Sequence, residues 1–236
     1  MPSNKNRFTT TIKKETGHKE DPLTFIIPVA GMGHRMKSYG PKCLLSANSK
    51  ESILEKSIHN IQRAYPDAEI IVVVGFEADK VIRAVPDNIR IVENQSYTST
   101  NVVESLRLAI NNTVGNRAVI VYGDLIFNLA TISGIADNES SVIVDSKNRF
   151  KNEEVGVTVV EDHVTSFAYG LETKWSHIVY ITGKEFSCFK SLCTDRRKNK
   201  MYPFELFNTM ISKGCSFRAI EPKGMTVREI DSLKDL

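Results

Sequence analysis

Short, nearly unbroken runs of branched apolar residues recur through the first 145 residues, at positions 25–29, 70–74, 89–92, 118–122 and 142–144. A strand with one wet face alternates apolar and polar residues, so continuous runs of this length mark strands covered on both faces. Between them lie segments with helical period, at 52–64 behind a serine, at 78–85, and at 101–111, where Val102, Leu106 and Ala109 share a face. Strand and helix therefore alternate. That order predicts an α/β fold of three layers, with a mostly parallel sheet and right-handed crossovers.

The pattern changes after about Asp145. Period-two stretches at 155–160, 164–169 and 177–181, broken by turns such as Glu161-Asp162, predict antiparallel strands appended to the sheet. Helices are expected over 183–193 and 203–213, and strands over 216–221 and 226–229. No repeat or low-complexity tract interrupts this order.

The chain has 236 residues, a length that one α/β domain fills while burying most of its apolar surface. Residues 1–22 are polar and hold five bases against three acids, so they read as a disordered N-terminal extension, with residues 23–236 as the domain. Of the net charge of +3, only +1 then belongs to the domain. A body so nearly neutral has no electrostatic footprint for nucleic acid. The extension lacks the apolar segment of a secretory signal, and no apolar run approaches the roughly 20 residues that span a bilayer. No membrane partner is expected. Cys43, Cys188, Cys193 and Cys215 form no CxxC pair and have no histidine at zinc spacing, so they read as small hydrophobes of a protein in a reducing cytoplasm.

Chemistry concentrates at the predicted strand ends. The first strand runs into Gly31-Met32-Gly33-His34-Arg35-Met36, followed by Pro41-Lys42. In an open parallel sheet ligands bind beyond the carboxyl ends of the strands, where glycine lets backbone amides approach phosphate oxygens. A dinucleotide fingerprint fails here, because Met36 stands where its third glycine belongs and Gly75 where its acid belongs. No P-loop is present either. What remains is a glycine loop with two cations, Arg35 and Lys42. A fourth strand end carries Gly123-Asp124, and the last strand ends in Glu229-Ile230-Asp231. Two carboxylates without histidine or thiolate partners suit a hard ion such as Mg²⁺.

Taken together, Ala30-Gly31-Met32-Gly33-His34-Arg35-Met36, Pro41-Lys42, Gly123-Asp124 and Glu229-Ile230-Asp231 resemble the nucleoside-triphosphate transferase superfamily, the sugar-phosphate nucleotidylyltransferases and their relatives. The resemblance spans about residues 24–236 and implies a Rossmann-like sheet. Asn94-Gln95-Ser96-Tyr97, Thr100-Asn101 and Ser105-Leu106 are most similar to the phosphocholine and phosphonate cytidylyltransferase branch. It implies that Gly31 and Gly33 wrap the phosphates, that Arg35 holds the β and γ groups, and that Lys42 acts near the reacting centre. Val29, Ala30 and Gly123 would complete the nucleotide-binding strand ends, with Asn101 and Ser105 beside the base and Asp124 and Asp231 on Mg²⁺. Departures are Val29 where many relatives have Ala or Leu, His34 where Ser or Thr is usual, and a single Asp124 where some have paired acids.

The implied partners are a nucleoside triphosphate, CTP foremost, and a small phosphorylated metabolite; a homodimer is compatible with the sequence. The substrate phosphate is already a nucleophile at neutral pH, its second pKa being roughly 6, so no general base is required. For the acceptor, Trp175 and Tyr180 are the candidates to stack on an ammonium group, against the plainer reading that they pack the core. His18, His59, His163 and His177 read as surface or structural, and Arg196-Arg197-Lys198 as a solvated loop. Three other readings stay open: a sugar-1-phosphate nucleotidylyltransferase using UTP, dTTP or GTP, an inactive nucleotide-binding homologue, and a glycosyltransferase. The last normally carries an Asp-x-Asp motif, which Asp124-Leu125-Ile126 lacks.

Overall fold

In chain order the strands are β1 (Leu23–Pro28), β2 (Glu69–Val74), β3 (Arg90–Glu93), β4 (Arg117–Val121), β5 (Leu125–Phe127), β6 (Ser141–Asp145), β7 (Val155–Val160), β8 (His163–Tyr169), β9 (Thr173–Ile181), β10 (Arg218–Ile220) and β11 (Val227–Glu229). The helices are α1 (Ile53–Ala64), α2 (Ala78–Ala84), α3 (Val102–Ile110), α4 (Leu129–Ile132), α5 (Gly183–Thr194) and α6 (Pro203–Ser212). This computed structural model describes residues 21–32, 40–46, 50–147, 154–232 and 235.

Nine strands form one sheet in the order β3-β2-β1-β4-β9-β6-β10-β8-β7. The strands β3, β2, β1 and β4 are parallel neighbours, as their continuous apolar runs require. Successive residues of β1 serve opposite faces: Phe25 and Ile27 pack under α1, α2 and α4, while Ile26 packs toward α3, α5 and α6. Two cores on one sheet make the three layers. Helix α1 starts where the sequence signals it, with the Ser52 hydroxyl accepting from Glu55 N at 3.2 Å and the Glu55 carboxylate accepting from Ser52 N at 2.7 Å. Such a reciprocal cap is worth about 1 kcal/mol.

The antiparallel strands are built into the sheet instead of lying wholly at its edge. β9 sits between β4 and β6, antiparallel to both. It changes partners along its length: residues 178–181 pair with β4, whereas Lys174 and Thr173 pair with Gly156 and Val157 of β7. Strands β9, β6, β10, β8 and β7 thereby return on themselves as a ring. The Glu161-Asp162 turn joining β7 to β8 has both residues in the left-handed region, at φ 48° and 64°, the twist that a two-residue hairpin demands.

Two elements were not anticipated. β5 pairs with β11 as a separate two-stranded sheet, and α4 follows at once, capped by Asn128. Asp21 and Pro22, assigned above to the extension, lie against the domain: Asp21 Oδ2 accepts from Asn116 N at 2.9 Å, and Gly115 leaves no room for a Cβ beside Pro22. No helix among the described residues is long and apolar enough to cross a membrane.

Candidate active site

The carboxyl ends of β1 and β4 open into a cleft of about 280 Å³ lined by residues that include Val29, Gly31, Lys42, Asn101, Tyr122, Gly123, Asp124 and Glu229. Its floor is made by close backbone packing. The Val29 amide continues the ladder to Val73 O at 2.8 Å, and Ala30 O accepts from Phe76 N at 3.0 Å, so Ala30 is buried and its carbonyl is committed to the β2 loop. Gly75 must be glycine, because a Cβ there would stand 2.8 Å from Ala30 Cβ and 3.0 Å from Tyr97 Cβ. Gly31 is the reverse case: among the described residues a Cβ would meet nothing within 4 Å. The fold does not need a glycine at Gly31, and the space beside its backbone belongs to the cleft. Gly33 and Arg35 lie outside the described residues.

Three charged groups from distant parts of the chain meet at this cleft. Lys42, in a short 3-10 turn behind Pro41, places Nζ 3.0 Å from Asp124 Oδ2 and 3.3 Å from Asp231 Oδ1. The two acids are 107 positions apart and converge because β5 and β11 pair directly after and before them. Glu229 lies opposite Leu125, and Ile230 N donates to Asp124 O at 2.9 Å. Burial opposes the Lys42 ammonium, but Asp124 and Asp231 outweigh it and raise its pKa. Burial, with the help of Glu229, lifts the Asp124 carboxyl above its usual range despite Lys42 and His177.

This cluster fits the metal that the resemblance implies. Asp124 Oδ1 is buried and has no hydrogen-bond partner among the described residues, while Oδ2 serves Lys42. Among the described residues no three His, Cys, Asp or Glu side chains form a metal cage. Zinc and calcium favour such all-protein cages, whereas Mg²⁺ is held by one or two carboxylates with water and substrate phosphates for the rest. Asp124 and Asp231 could hold it, with Glu229 in the same wall.

One histidine read as surface or structural lies beside this cleft, against Tyr122 and Glu229 of its lining. His177 interrupts β9 at φ 55°, where the register against β6 shifts between Val142 and Val144. Bulges of this kind re-aim side chains beside functional sites. The imidazole stacks on Tyr122, with centroids 4.9 Å apart and planes 15° from parallel, and sets Nδ1 3.3 Å from Glu229 Oε2. Burial pulls the Glu229 carboxyl upward, yet His177, with Lys174 and Lys42, more than offsets this and holds it at about 2. Positive φ at a non-glycine in mid-strand leaves no periodicity signal, so the sequence gives no warning of it.

The other expected site residues divide between the cleft and the core. Asn101 lines the cleft and caps α3, its Oδ1 accepting from Val102 N at 2.8 Å. Ser105 is buried and does not line the cleft; its hydroxyl accepts from Asn94 Nδ2 at 3.1 Å. Trp175 and Tyr180 are corrected as acceptor-binding residues, because both are core side chains. Tyr180 is fully buried, with its hydroxyl donating to Asp137 O at 3.0 Å and accepting from Arg117 Nε at 3.0 Å. Trp175 packs among Tyr122, Phe167, His177 and Phe207. A different hollow, of about 360 Å³, adjoins the cleft across Glu229 and His177 and presents Asp145, Glu154, Lys174 and Asp235.

No protein-family model matches the chain, and no curated protein matches it by sequence. Solved structures match it by shape. LicC, the CTP:phosphocholine cytidylyltransferase from Streptococcus pneumoniae, superposes with a TM-score of 0.73 at 18% identity, over 91% of this chain and 96% of that one. The chain has the nucleotidyltransferase fold. The inositol-1-phosphate CTP transferase from T. maritima gives 0.72 at 15% identity, covering 92% of both chains. A putative glucose-1-phosphate thymidylyltransferase from Bacillus anthracis gives 0.73 at 11% identity, over 90% of this chain and 92% of that one. Proteins named for different nucleotides thus share this frame.

Proposed function

We propose that the protein is a Mg²⁺-dependent nucleotidyltransferase that moves CMP from CTP to a small phosphorylated or phosphonate metabolite, releasing pyrophosphate. The observation that carries this reading is the meeting of Lys42, Asp124 and Asp231 at the mouth of a cleft floored by Gly31 and Gly123. Phosphoryl-type transfer depends on positioning and on neutralising charge more than on a protein base. In this reading Lys42 leaves its two carboxylates partly or wholly to offset charge on the reacting phosphate, and Gly31 lets the backbone approach the triphosphate. A bound Mg²⁺ would neutralise phosphate oxygens and the carboxylates of Asp124 and Asp231. Arg35, by resemblance, serves the leaving pyrophosphate.

CTP is favoured by the resemblance of residues 94–106 to the cytidylyltransferase branch, and Asn101 at the cleft supports a polar reader of the base. The acceptor reading draws on the neighbouring hollow, where the acids Asp145, Glu154, Glu229 and Asp235 outnumber the bases Lys174 and Arg228 and favour a cationic end such as an amino or trimethylammonium group. The test is pyrophosphate release across the four NTPs, each crossed with phosphocholine, phosphoethanolamine, 2-aminoethylphosphonate and sugar-1-phosphates. CTP with an amino-bearing acceptor should turn over fastest. Equal rates with UTP and a sugar-1-phosphate would move the enzyme to the sugar-nucleotide branch, and no release with any pair would make it a nucleotide-binding homologue.

A further inference from the structure

His177 is costly to place. Its backbone is left-handed in the middle of a strand, a conformation that persists in a side-chain-bearing residue only when its surroundings hold it there. Those surroundings converge on one outcome. The ring lies flat on Tyr122, the residue just before Gly123-Asp124; Trp175 meets it edge-on at 4.6 Å; and the His177 carbonyl accepts from Tyr122 N at 3.3 Å. Together they set Nδ1 3.3 Å from Glu229 Oε2, in a pair whose side chains are only 12% and 17% exposed. Glu229 lines both the cleft and the acid-lined hollow and precedes Asp231 by two positions.

We infer that His177 is a positioning residue for divalent-ion binding: through the close Nδ1–Oε2 contact, a charge contact outside hydrogen-bond alignment, it holds the Glu229 carboxylate in the wall beside Asp124 and Asp231, so that the anionic side of the cleft is assembled before an ion arrives. The inference rests on the metal-dependent reading above, and it gives the strained bulge in β9 a purpose that packing alone does not. Carboxylates at metal sites are held by such outer partners, whose loss typically weakens metal affinity about 10- to 100-fold.

Two variants separate positioning from packing. His177→Asn keeps a polar group near the Nδ1 position and tolerates positive φ but gives up the stacked ring; His177→Phe keeps the ring and gives up the nitrogen. Binding of Mn²⁺ alone, read by electron paramagnetic resonance, is compared with the melting temperature of the metal-free protein. The expected result is crossed: Phe melts closer to the wild type yet binds Mn²⁺ about 10-fold or more weakly, while Asn melts lower yet binds within about 3-fold. Phe binding as tightly as the wild type, Asn binding as weakly as Phe, or affinity following melting temperature in both variants overturns the inference. So does a wild type that binds no Mn²⁺. Pyrophosphate release by the wild type is scored separately, so a failed transferase reading is distinguished from a failed role for His177.

Discussion

Gly123→Ala tests the packing that forms the cleft floor. A Cβ on Gly123 would run into Val29 Cγ1 far inside van der Waals contact and would stand 3.1 Å from Pro28 O and 3.4 Å from Val29 Cβ. Neither neighbour yields easily. Pro28 ends a strand hydrogen-bonded on both sides, and Val29 is β-branched, with few rotamers, and only 9% exposed. Overpacking of this kind costs about 1–3 kcal/mol. At this chain length each kcal/mol moves Tm by roughly 2–4 °C, so a fall of about 2–12 °C is expected by calorimetry. Val29→Ala removes the atom that clashes. The double variant should therefore be less destabilised than the sum of the singles, with an interaction of about 1–2 kcal/mol. A Gly123→Ala protein melting within about 1 °C of the wild type, or strict additivity with Val29→Ala, would refute the argument.

Asp124→Asn and Asp231→Asn should each lower pyrophosphate release by about a hundredfold or more, and EDTA should abolish it; wild-type rates in EDTA would remove the metal from the reading. Ser105→Ala removes the buried one of the two acceptors of Asn94 Nδ2, Thr100 Oγ1 at 3.3 Å remaining, so it should cost about 1 kcal/mol in urea unfolding while leaving the preference for CTP over UTP unchanged. A changed preference at unchanged stability would return Ser105 to the base site. Because the Glu229 carboxyl is held at about 2, below its ordinary 4.5, its contribution to stability is present above pH 4.5 and is lost as pH falls toward 2. The Tm gap between wild type and Glu229→Gln should accordingly narrow between pH 6 and pH 3, and a gap that widens would show the sign to be wrong.

The buried parallel strands were legible because burial on both faces leaves unbroken apolar runs, and the three long crossings were legible from caps such as Ser52 and from helical period. β5 was missed because Leu125-Ile126-Phe127 is too short to show any period beside the strand before it. The interior place of β9 was missed for a different reason: residues 178–181 read the same whether their neighbours are edge or centre, since sequence pattern reports burial and not order across a sheet. At the site, Lys42, Asp124 and Asp231 could be singled out as strand-end charges, but the pairing that brings the acids together is made by β5 and β11. Trp175 and Tyr180 were assigned to the acceptor on residue type, yet large aromatics in strands gain more from burial than from display. His177 carried no sequence signal, since its role comes from one backbone angle and from a partner 52 positions away.

The ring formed where the bent end of β9 meets β7 has a consequence for how the molecule behaves among its own copies. Unpaired strand edges offer amides and carbonyls to any extended chain, and proteins blunt them to avoid stacking edge to edge. Here β9 covers Gly156 and Val157, and the remainder of β7, with Val159 and Val160 exposed, is bent by a register shift between Thr158 and Val159. At the opposite margin β3 is four residues long and begins and ends in exposed charge, Arg90 and Glu93. The sheet therefore has no long straight margin among the described residues to serve as a template, and a cut in the β7–β8 hairpin that frees β7 from β9 would expose one, turning the nine-stranded sheet into a seed for strand-on-strand aggregation.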